Sequence, residues 1–466
     1  MANLIKYLVV YIVGIVMFLV AATACENSKI KQTSISYSKF GVDSLKIQEL
    51  TNDIANEKFP KTNAVIIYKD QELIYEKYAN GFNRNQKQYT ASVSKTAGNI
   101  LVGIAMQQGI IKDIESGILD QSIYKIFPKY KDQIIKDSLK SKILFRHILS
   151  MTGGLQWDEK SFSYNDTRND WIAASNSDDP IKYLLNKPMA SEPGKIFNYN
   201  GGYSIMLSYL IENKTKNSAL QFAKEYLFKP LNIKDFEWES ISNGLTDTDG
   251  GLHLRPIDMA KLGQLYLNKG KWNGRQIVSK KWIEESIKEH IISAEMPNYG
   301  FQWWCGDFNY KGKKAFTYFA SGMGGQKIFV FPEFNSVIVI THEVFNNPIG
   351  ELNNIKMLSN YLLPALDKHE KYKETYKFNT NYIEKYIGNY VNSKDSFTID
   401  SENNELYLIA PNEPKLKLIP TKDHKFKVLY PQGVEFHLNF KSDASLNINS
   451  VIATIAFREI MYKKSF

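Results

Sequence analysis

Cysteine is nearly absent from this chain, which has only two, Cys25 and Cys305, among 466 residues. A scaffold of disulfides is therefore excluded, and the fold must be held by a hydrophobic core, which a chain of this length can build. The seven histidines are dispersed, and no spacing of cysteine, histidine and carboxylate residues indicates a metal site. We predict that the protein uses no cofactor and no metal, and that Cys305 is a buried small hydrophobic residue.

The chain also lacks a concentrated charge of one sign. Its formal net charge of +9 comes from 58 basic and 49 acidic residues, and the lysines are scattered instead of forming a stripe with interleaved aromatic residues. This pattern disfavours a nucleic-acid partner. A mildly basic body could lie near an anionic membrane or cell-wall polymer, but a dispersed lysine excess is typical of an ordinary solvated surface.

An apolar run stands at the N-terminus. Lys6 is followed by the apolar stretch Tyr7 to Val20, and the small residues Ala21 to Ala24 lead directly to Cys25. This pattern predicts a secretory signal over residues 1–24, and small residues before a cysteine resemble a bacterial lipobox, although Ala22 stands where Leu is usual. We expect Cys25 to carry a lipid that anchors the protein at the bacterial cell envelope, periplasmic or on the cell surface. The alternatives are an ordinary signal peptide or a single transmembrane anchor.

The rest of the chain divides by pattern into a polar tether at 25–42, a main domain at 43–367, a linker at 368–380 and a small all-β sandwich or barrel at 381–466. In the main domain, β-rich runs come first, helical segments dominate about residues 110–290, and strand runs return afterwards. Strands at both ends of the domain with helices between them imply one antiparallel sheet flanked by helices, with an inserted helical subdomain. We therefore predict an α+β fold.

A serine and a lysine three residues apart open a long apolar helix. Ser92-Val93-Ser94-Lys95 precedes a helical pattern that ends near Gly109. Residues three apart share a helix face, so the Ser92 hydroxyl can meet the Lys95 amine. A lysine kept neutral by burial or by neighbouring cations can accept the serine proton, which makes the hydroxyl a nucleophile. The same S-x-x-K spacing occurs at Ser28 and Ser36, but only Ser92 starts an apolar helix after a strand hairpin.

Four segments, in order along the chain, resemble the serine β-lactamase and penicillin-binding protein superfamily, specifically its class C-like branch. They are Ser92 to Lys95, Arg146 to Leu155 (RHILSMTGGL), Glu192 to Tyr199 (EPGKIFNY), and Gly250 to Pro256 (GGLHLRP) with Asp258, Ala260 and Gly263 after it. The resemblance runs over about residues 45–365 and implies the β-lactamase/transpeptidase-like α/β fold. It also implies an acyl-enzyme on Ser92, with Lys95 as base and Tyr199 as the second-motif tyrosine that relays the proton to the leaving group.

Two positions depart from the pattern of that superfamily. The second motif usually ends in asparagine two residues after the tyrosine, but here that place is Gly201 and Asn200 comes one residue early. Asn200 could be displaced into a similar task, or it could only shape the turn. The third motif usually carries Lys or His, and the corresponding stretch 319–326 (FASGMGGQ) has the glycines but no cation.

The glycines of that stretch indicate an oxyanion site. A strand edge without Cβ atoms lets substrate approach closely, and its amides can complete an oxyanion hole with the amide of Ser92. We expect Gly322 or Met323 to supply the second amide, and Asn200 and Gly324 to be further substrate-binding residues. In relatives the missing cation helps to hold the carboxylate of a β-lactam or a peptide terminus, so its loss disfavours β-lactamase and carboxypeptidase activity.

The leading hypothesis is a metal-free serine hydrolase that acts on a small-molecule ester or amide, in a subgroup resembling the nylon-oligomer hydrolases and esterases of this fold. One alternative keeps the fold but assigns a cell-wall peptide or a β-lactam as substrate, as in a DD-peptidase or a β-lactamase. Another is a catalytically silent binding protein of the envelope, which the presence of both Ser92 and Lys95 disfavours. The sequence does not indicate whether the protein has a protein partner.

Aromatic and acidic residues elsewhere are weaker candidates. Trp157, Asp158 and Glu159 could border the pocket, although an exposed loop is an equal alternative, and Trp303 and Trp304 are expected in the core. In the C-terminal region, Tyr386 to Tyr390 (YIGNY) resembles the opening of small β modules appended to such hydrolases.

Overall fold

The structure is a computed structural model that describes residues 37–293, 297–343, 345, 347–367, 376, 378–411, 413–430, 434–443, 445 and 447–465. The predicted signal segment, Cys25 and most of the predicted tether and linker lie outside these residues. Within the described ranges, no helix combines the length and the apolar character that a membrane crossing needs.

A six-stranded antiparallel sheet forms the centre of the main domain, in the order β2-β1-β11-β10-β9-β8. The strands of this domain are β1 (Thr62–Lys69), β2 (Glu72–Tyr78), β3 (Gln88–Tyr89), β4 (Phe236–Trp238), β5 (Leu252–Leu254), β6 (Lys271–Trp272), β7 (Arg275–Gln276), β8 (Trp304–Tyr310), β9 (Lys313–Gly322), β10 (Gln326–Phe331) and β11 (Ser336–His342). The N-terminal β1 pairs with the C-terminal β11, so the sheet is assembled from both ends of the domain as predicted. β10 and β11 are buried along their whole length, because helices cover both faces of the sheet.

Helices fill the interval between the two groups of strands and flank the sheet. The described α-helices are α1 (Ser44–Ala55), α2 (Val93–Gln107), α3 (Ile123–Ile126), α4 (Lys131–Ile135), α5 (Phe145–Leu149), α6 (Asp170–Ser175), α7 (Pro180–Asn186), α8 (Gly201–Thr215), α9 (Ala219–Ala223), α10 (Pro256–Leu267), α11 (Lys280–Ser286), α12 (Ile349–Met357) and α13 (Leu363–Leu366). Residues Lys224–Phe228 and Leu358–Leu362 are π-helical. This helical middle confirms the predicted inserted subdomain and the α+β class.

Two helices fix the position of the site relative to the sheet. α2 is buried from Val93 to Met106, so it lies in the interior of the domain and not on its surface. α10 packs directly on β10 and β11 because Gly263 has no side chain: an ideal Cβ there would lie 2.6 Å from Val337 Cγ1 and 2.8 Å from Ile328 Cγ2. The glycine that belongs to the fourth sequence segment is therefore a packing residue.

The C-terminal region is a closed antiparallel barrel of strands β12 to β19. They are β12 (Gly388–Val391), β13 (Ser396–Glu402), β14 (Glu405–Ile409), β15 (Leu416–Lys422), β16 (Lys425–Leu429), β17 (Glu435–Ser442), β18 (Ile448–Ile455) and β19 (Arg458–Ser465). The barrel confirms one of the two architectures expected for this region. It joins the main domain through the β18–β19 turn, where the Asn309 amide donates to the Ala456 carbonyl at 2.8 Å and Phe457 packs on Phe308 and Phe319.

Two expectations about local structure are corrected. Residues 37–42 belong to the main domain and not to the tether, since Phe40 and Val42 are buried and the Asp43 amide donates to the Ala365 carbonyl at 2.9 Å. The apolar run Phe301 to Trp304 is one of the strand runs that the sequence predicts after the helical middle, but the observed strand β8 starts only at Trp304, because Gln302 adopts a left-handed backbone with φ of 58°.

Candidate active site

A short strand pair delivers Ser92 to the start of α2. Gln88 and Tyr89 of β3 pair with β5, which follows Gly250 and Gly251 of the fourth segment. The Thr90 amide and hydroxyl then both bond the Leu252 carbonyl, at 2.9 and 2.8 Å. Ala91 turns the chain with a φ of 49°, a conformation that a non-glycine residue rarely adopts and that concentrates at functional sites. The nucleophile candidate thus lies on a sharp strand-to-helix turn.

The helix then brings the serine and the lysine together as the sequence spacing predicts. Lys95 Nζ lies 3.0 Å from Ser92 Oγ. The Lys95 side chain is 2 % exposed, whereas Ser92 is only half-buried and remains accessible. A hydroxyl that is open on one side and bonded to a buried amine on the other has the geometry of a lysine-assisted nucleophile.

Tyr199 lies against the same lysine. Lys95 Nζ is 4.6 Å from the centre of the Tyr199 ring, and the ring stacks on Trp304 at 6.3 Å between centroids. The loop before Tyr199 is clamped to the second sequence segment, because the Asn198 amide donates to the Met151 carbonyl at 2.9 Å. The structure therefore places Ser92, Lys95 and Tyr199 in one cluster, drawn from two separate helical regions.

The residue after Tyr199 is a helix cap. Asn200 is the N-cap of α8, and its Oδ1 accepts the Tyr203 amide at 3.3 Å. Its side chain is fully buried, so of the two tasks expected for Asn200 the geometry favours shaping the turn.

Gly201, which stands where the superfamily has asparagine, lies against a carboxylate. An ideal Cβ at Gly201 would lie 2.7 Å from Asp249 Oδ1 and 2.9 Å from the Trp171 ring. Asp249 is buried, forms a short ion pair with Lys95, and its carbonyl oxygen accepts a further bond from Lys95 Nζ at 3.3 Å. Asp249 therefore occupies the space beside Lys95 that a side chain at position 201 would take.

Glu159 is a second buried acid of the cluster. Its Oε2 accepts the Trp157 indole N–H at 2.6 Å and the Gly201 amide at 2.8 Å, and the residue is 3 % exposed. Burial and the nearby Asp249 raise the pKa of Glu159 to about 7, although Lys95 opposes them. The loop at 157–159 is thus part of the site, and the alternative of an exposed loop is wrong for Trp157 and Glu159.

These acids reverse one expectation about Lys95. Burial by itself lowers the pKa of the ammonium, but Asp249, Tyr199 and Glu159 raise it, and the pKa of Lys95 lies well above its ordinary value. The lysine was expected to be neutral, yet the structure holds it as an ammonium. Burial also raises the pKa of Tyr199, which Lys95 only partly offsets.

The glycine-rich stretch 319–326, at the end of β9, lies next to the turn that precedes Ser92. An ideal Cβ at Gly322 would lie 2.2 Å from the Thr90 carbonyl oxygen, so the glycine permits close contact with the residues just before Ser92. We expected the space beside Gly322 to admit substrate, but the backbone of Thr90 occupies it. Met323 is half-buried, and Gly324 turns the chain with a φ of 80° before β10. Gly322 therefore lies beside Thr90 and Ala91, the two residues that precede Ser92.

No cation from the neighbouring strand β10 replaces the one missing from the stretch 319–326. Lys327 of β10 pairs with Ser321 of β9, and Ser321 points away from the face that Gly322 presents to Thr90. The Nζ of Lys327 donates to Ser321 Oγ at 2.5 Å and forms an ion pair with Glu351 at 2.7 Å. Among the described residues, no group of three His, Cys, Asp or Glu side chains is arranged to hold a metal ion.

Sequence reasoning named Ser92, Lys95 and Tyr199 but missed Asp249 and placed Trp304 in the core alone. Asp249 precedes two glycines and looks like a turn residue, which it also is. The sequence signal that points to Asp249 is Gly201. Because glycine replaces the asparagine of the superfamily there, another side chain has to be the polar partner of Lys95.

The antiparallel sheet flanked by helices, with Ser92, Lys95 and Tyr199 in one cluster, is the arrangement expected of the serine β-lactamase and penicillin-binding protein superfamily. The Beta-lactamase family model matches residues 60–359. The chain belongs to the Beta-lactamase family, which confirms the resemblance seen in the four segments and makes it an enzyme of the serine hydrolase type.

Similarity to individual proteins is lower. The chain is 22 % identical over 296 residues to the 6-aminohexanoate-dimer hydrolase of Paenarthrobacter ureafaciens, a match that covers 60 % of this chain and 71 % of the relative. The octameric penicillin-binding protein homologue from Pyrococcus abyssi superposes with a TM-score of 0.53 at 18 % identity, over 90 % of this chain and 100 % of that one. EstCE1, a hydrolase with promiscuous acyltransferase activity, gives 0.52 at 15 % identity, over 67 % of this chain and 96 % of its own. At these identities the structures show the shared fold.

Proposed function

We propose that the protein hydrolyses a small-molecule ester or amide through an acyl-enzyme on Ser92. The observation that carries the proposal is the 3.0 Å contact between Ser92 Oγ and the buried Nζ of Lys95, with Tyr199 against the same nitrogen. Attack by Ser92 Oγ on the substrate carbonyl forms a tetrahedral intermediate. Lys95 and Tyr199 handle the proton, and the amides of Ser92 and of Gly322 or Met323 face the oxyanion.

The substrate class follows from the charges around the serine. The stretch 319–326 has no cation, and Lys327 of β10 lies on the other face of the sheet in a pair with Glu351. Lys160 Nζ lies 5.7 Å from the centre of the Tyr199 ring, but it comes from the exposed end of the 157–160 loop and not from the strand that carries the cation in relatives. A site without that cation is poorly suited to hold a substrate carboxylate, but ester or amide cleavage does not need one. The names of two similar proteins, a 6-aminohexanoate-dimer hydrolase and a hydrolase with acyltransferase activity, agree with this choice.

The family itself supports a second candidate. A β-lactamase or a DD-peptidase would use the same serine, lysine and tyrosine, and a penicillin-binding protein homologue shares the fold over most of the chain. The second candidate predicts that a β-lactam acylates Ser92, followed by release of the hydrolysed product in the case of a β-lactamase. The first candidate predicts little acylation by a β-lactam.

The test is turnover of p-nitrophenyl butyrate beside a chromogenic cephalosporin, with the wild type and the Ser92→Ala and Tyr199→Phe variants. We expect ester hydrolysis, little cephalosporin hydrolysis, and loss of at least about 1000-fold in kcat/KM for Ser92→Ala. Ser36→Ala, which removes the serine of another S-x-x-K, is the matched control and keeps the wild-type rate. Efficient cephalosporin hydrolysis favours the second candidate. If neither substrate reacts and a serine-directed phosphonate leaves Ser92 unmodified, the silent binding protein becomes the better description.

We also propose that Cys25 is lipidated and anchors the enzyme at the cell envelope. The support is the apolar run followed by small residues and a cysteine in the sequence. Expression with a labelled fatty acid is expected to label the wild type and not Cys25→Ser. Label on both proteins, or on neither, contradicts the anchor.

A further inference from the structure

Lys95 is surrounded by more negative charge than a lysine base should be. Three carboxyl groups act on it, those of the buried Asp249 and Glu159 and that of the half-buried Asp247. Of these, Asp249 makes an ion pair with Nζ and also receives Nζ on its carbonyl oxygen. An ammonium that is bonded in this way cannot take the Ser92 proton unless it first gives one of its own away.

The position of Asp249 is fixed by its own loop. The Asp249 and Gly250 amides both donate to Asp247 Oδ1 at 2.9 Å, which closes a tight turn. Immediately beyond that turn lies Leu252 of β5. Its carbonyl oxygen accepts the Thr90 amide and hydroxyl, and its amide donates to Ser94 Oγ at 3.0 Å. The strand that sets Ser92 in place therefore also sets Asp249 in place, and the two cannot move independently.

Gly201 completes the arrangement. Its lack of a side chain leaves the room that Asp249 fills, since an ideal Cβ would lie 2.7 Å from Asp249 Oδ1. The superfamily places a neutral amide after the tyrosine at this position, and this chain places a carboxylate from another loop in the same space. The exchange changes the charge beside Lys95 by one unit.

We infer that Asp249 is a positioning residue for the hydrolase reaction: it takes the place of the second-motif asparagine and accepts a proton from Lys95 when Ser92 attacks. This inference rests on the proposed function. In the resting pair Lys95 is an ammonium and Asp249 a carboxylate. As the bond between Ser92 Oγ and the carbonyl carbon forms, the hydroxyl proton passes to Lys95 Nζ and an ammonium proton passes from Nζ to Asp249 Oδ1.

The proton count then closes. Lys95 is still an ammonium in the tetrahedral intermediate, and Asp249 holds the proton that Ser92 lost. When the intermediate collapses and the bond to the leaving group breaks, a proton passes from Lys95 through Tyr199 to the departing oxygen or nitrogen, and Asp249 returns its proton to Lys95. With a neutral amide in place of Asp249, the same attack requires Lys95 to lose a proton to water beforehand.

The first test is the pH profile of kcat/KM for p-nitrophenyl butyrate with the full chain and its Asp249→Asn variant. We expect Asp249→Asn to lose about 100-fold at pH 7 and to recover part of the loss as the pH rises, so that its acidic limb lies at higher pH than that of the wild type. Glu435→Gln, which alters a buried carboxylate paired with Lys311 in the barrel region, is the control and keeps the wild-type profile. A rate within threefold of the wild type at pH 7, or an equal loss at every pH, overturns the inference.

A second test does not depend on turnover. If Asp249 and Lys95 form one unit, Asp249→Asn leaves a buried cation and Lys95→Met leaves a buried carboxylate, so each single variant lowers the Tm and the double variant regains part of the loss. Additive losses in the double variant overturn the pairing whatever the activity. A wild type that neither cleaves the ester nor reacts with a phosphonate refutes the proposed function and the proton route, whereas an active wild type with an unchanged Asp249→Asn profile refutes the route alone.

Discussion

Two serine–lysine pairs, each with a buried lysine and a half-buried serine, lie on opposite faces of the same sheet, and only one has the surroundings of a catalytic site. Ser92 and Lys95 meet at 3.0 Å in the first turn of α2, and Ser321 and Lys327 meet at 2.5 Å between β9 and β10. Both lysine side chains are 2 % exposed. Burial and contact with a hydroxyl therefore do not distinguish a nucleophile–base pair from a structural one.

The counter-charges make the difference. Lys327 is paired with Glu351, whose side chain is 46 % exposed and keeps its contact with water. Lys95 is paired with Asp249, whose side chain is 6 % exposed, and the buried Glu159 acts on it as well. Charges without water interact strongly and respond to each other's protons, which is the property that proton transfer needs.

The largest effect is expected when each lysine is removed. Lys95→Met leaves Asp249 and Glu159 buried without a cation, which is expected to lower the free energy of unfolding by about 3–5 kcal/mol at pH 8. Lys327→Met leaves only Glu351, which water can solvate, and is expected to change it by less than about 1 kcal/mol. Urea unfolding of both variants measures the difference.

Activity gives the control for that pair of variants. Lys95→Met should abolish ester hydrolysis, whereas Lys327→Met should leave it near the wild-type level, because Lys327 lies on the other face of the sheet. Equal losses of stability in the two variants would show that the counter-charges do not distinguish the pairs.

A smaller and pH-dependent effect is expected at Glu159. Because its pKa is raised from 4.5 to about 7, the folded state keeps a proton that the unfolded state releases, so stability falls as the pH rises through this window and the loss is complete above pH 7. Glu159→Gln removes the ionisation but can still accept the Trp157 and Gly201 donors. The variant should gain stability over the wild type between about pH 4.5 and 7, up to roughly 3 kcal/mol.

Unfolding measured from pH 4 to pH 8 tests this expectation. Glu343→Gln, which removes a carboxylate from an ion pair with Lys61 that is exposed on both sides, is the control and should differ from the wild type by less than about 1 kcal/mol throughout. The raised pKa predicts that the free energy of unfolding of Glu159→Gln minus that of the wild type is larger at pH 8 than at pH 5. A difference that is smaller at pH 8 contradicts it.

What the sequence could predict depended on local pattern. The hairpin of β1 and β2, the α2 helix that ends near Gly109, and the three-residue spacing of Ser92 and Lys95 all follow from periodicity and turn residues. Asp249 and Glu159 could not be found in this way, since their burial results from the packing of segments that are distant in sequence. The sequence also did not delimit four strands of the barrel, at 388–391, 396–402, 448–455 and 458–465, because their mainly half-exposed or exposed side chains mix polar and apolar types.

The smallest effect is expected at Gly201, where the comparison can be sharpened by a single methyl group. The Asp249 carboxylate can contact Lys95 because Gly201 has no side chain. Glu351 is half-exposed and reaches Lys327 from the solvent side, so that contact does not depend on a neighbouring glycine. Gly201→Ala places a Cβ within 2.9 Å of Asp249 Oδ1 and Trp171, and is expected to cost about 1–3 kcal/mol and to lower kcat/KM by displacing Asp249. Gly202→Ala is the matched variant, because its nearest neighbours, at 3.1 Å, are side-chain atoms of Asn200 and Leu184, and Leu184 can move. Thermal unfolding and ester kinetics of the two variants should separate them. If Gly201→Ala keeps the stability and the activity of the wild type, displacement of Asp249 from this position has no effect. The contact between Asp249 and Lys95 would then be no more important for catalysis than the contact between Glu351 and Lys327.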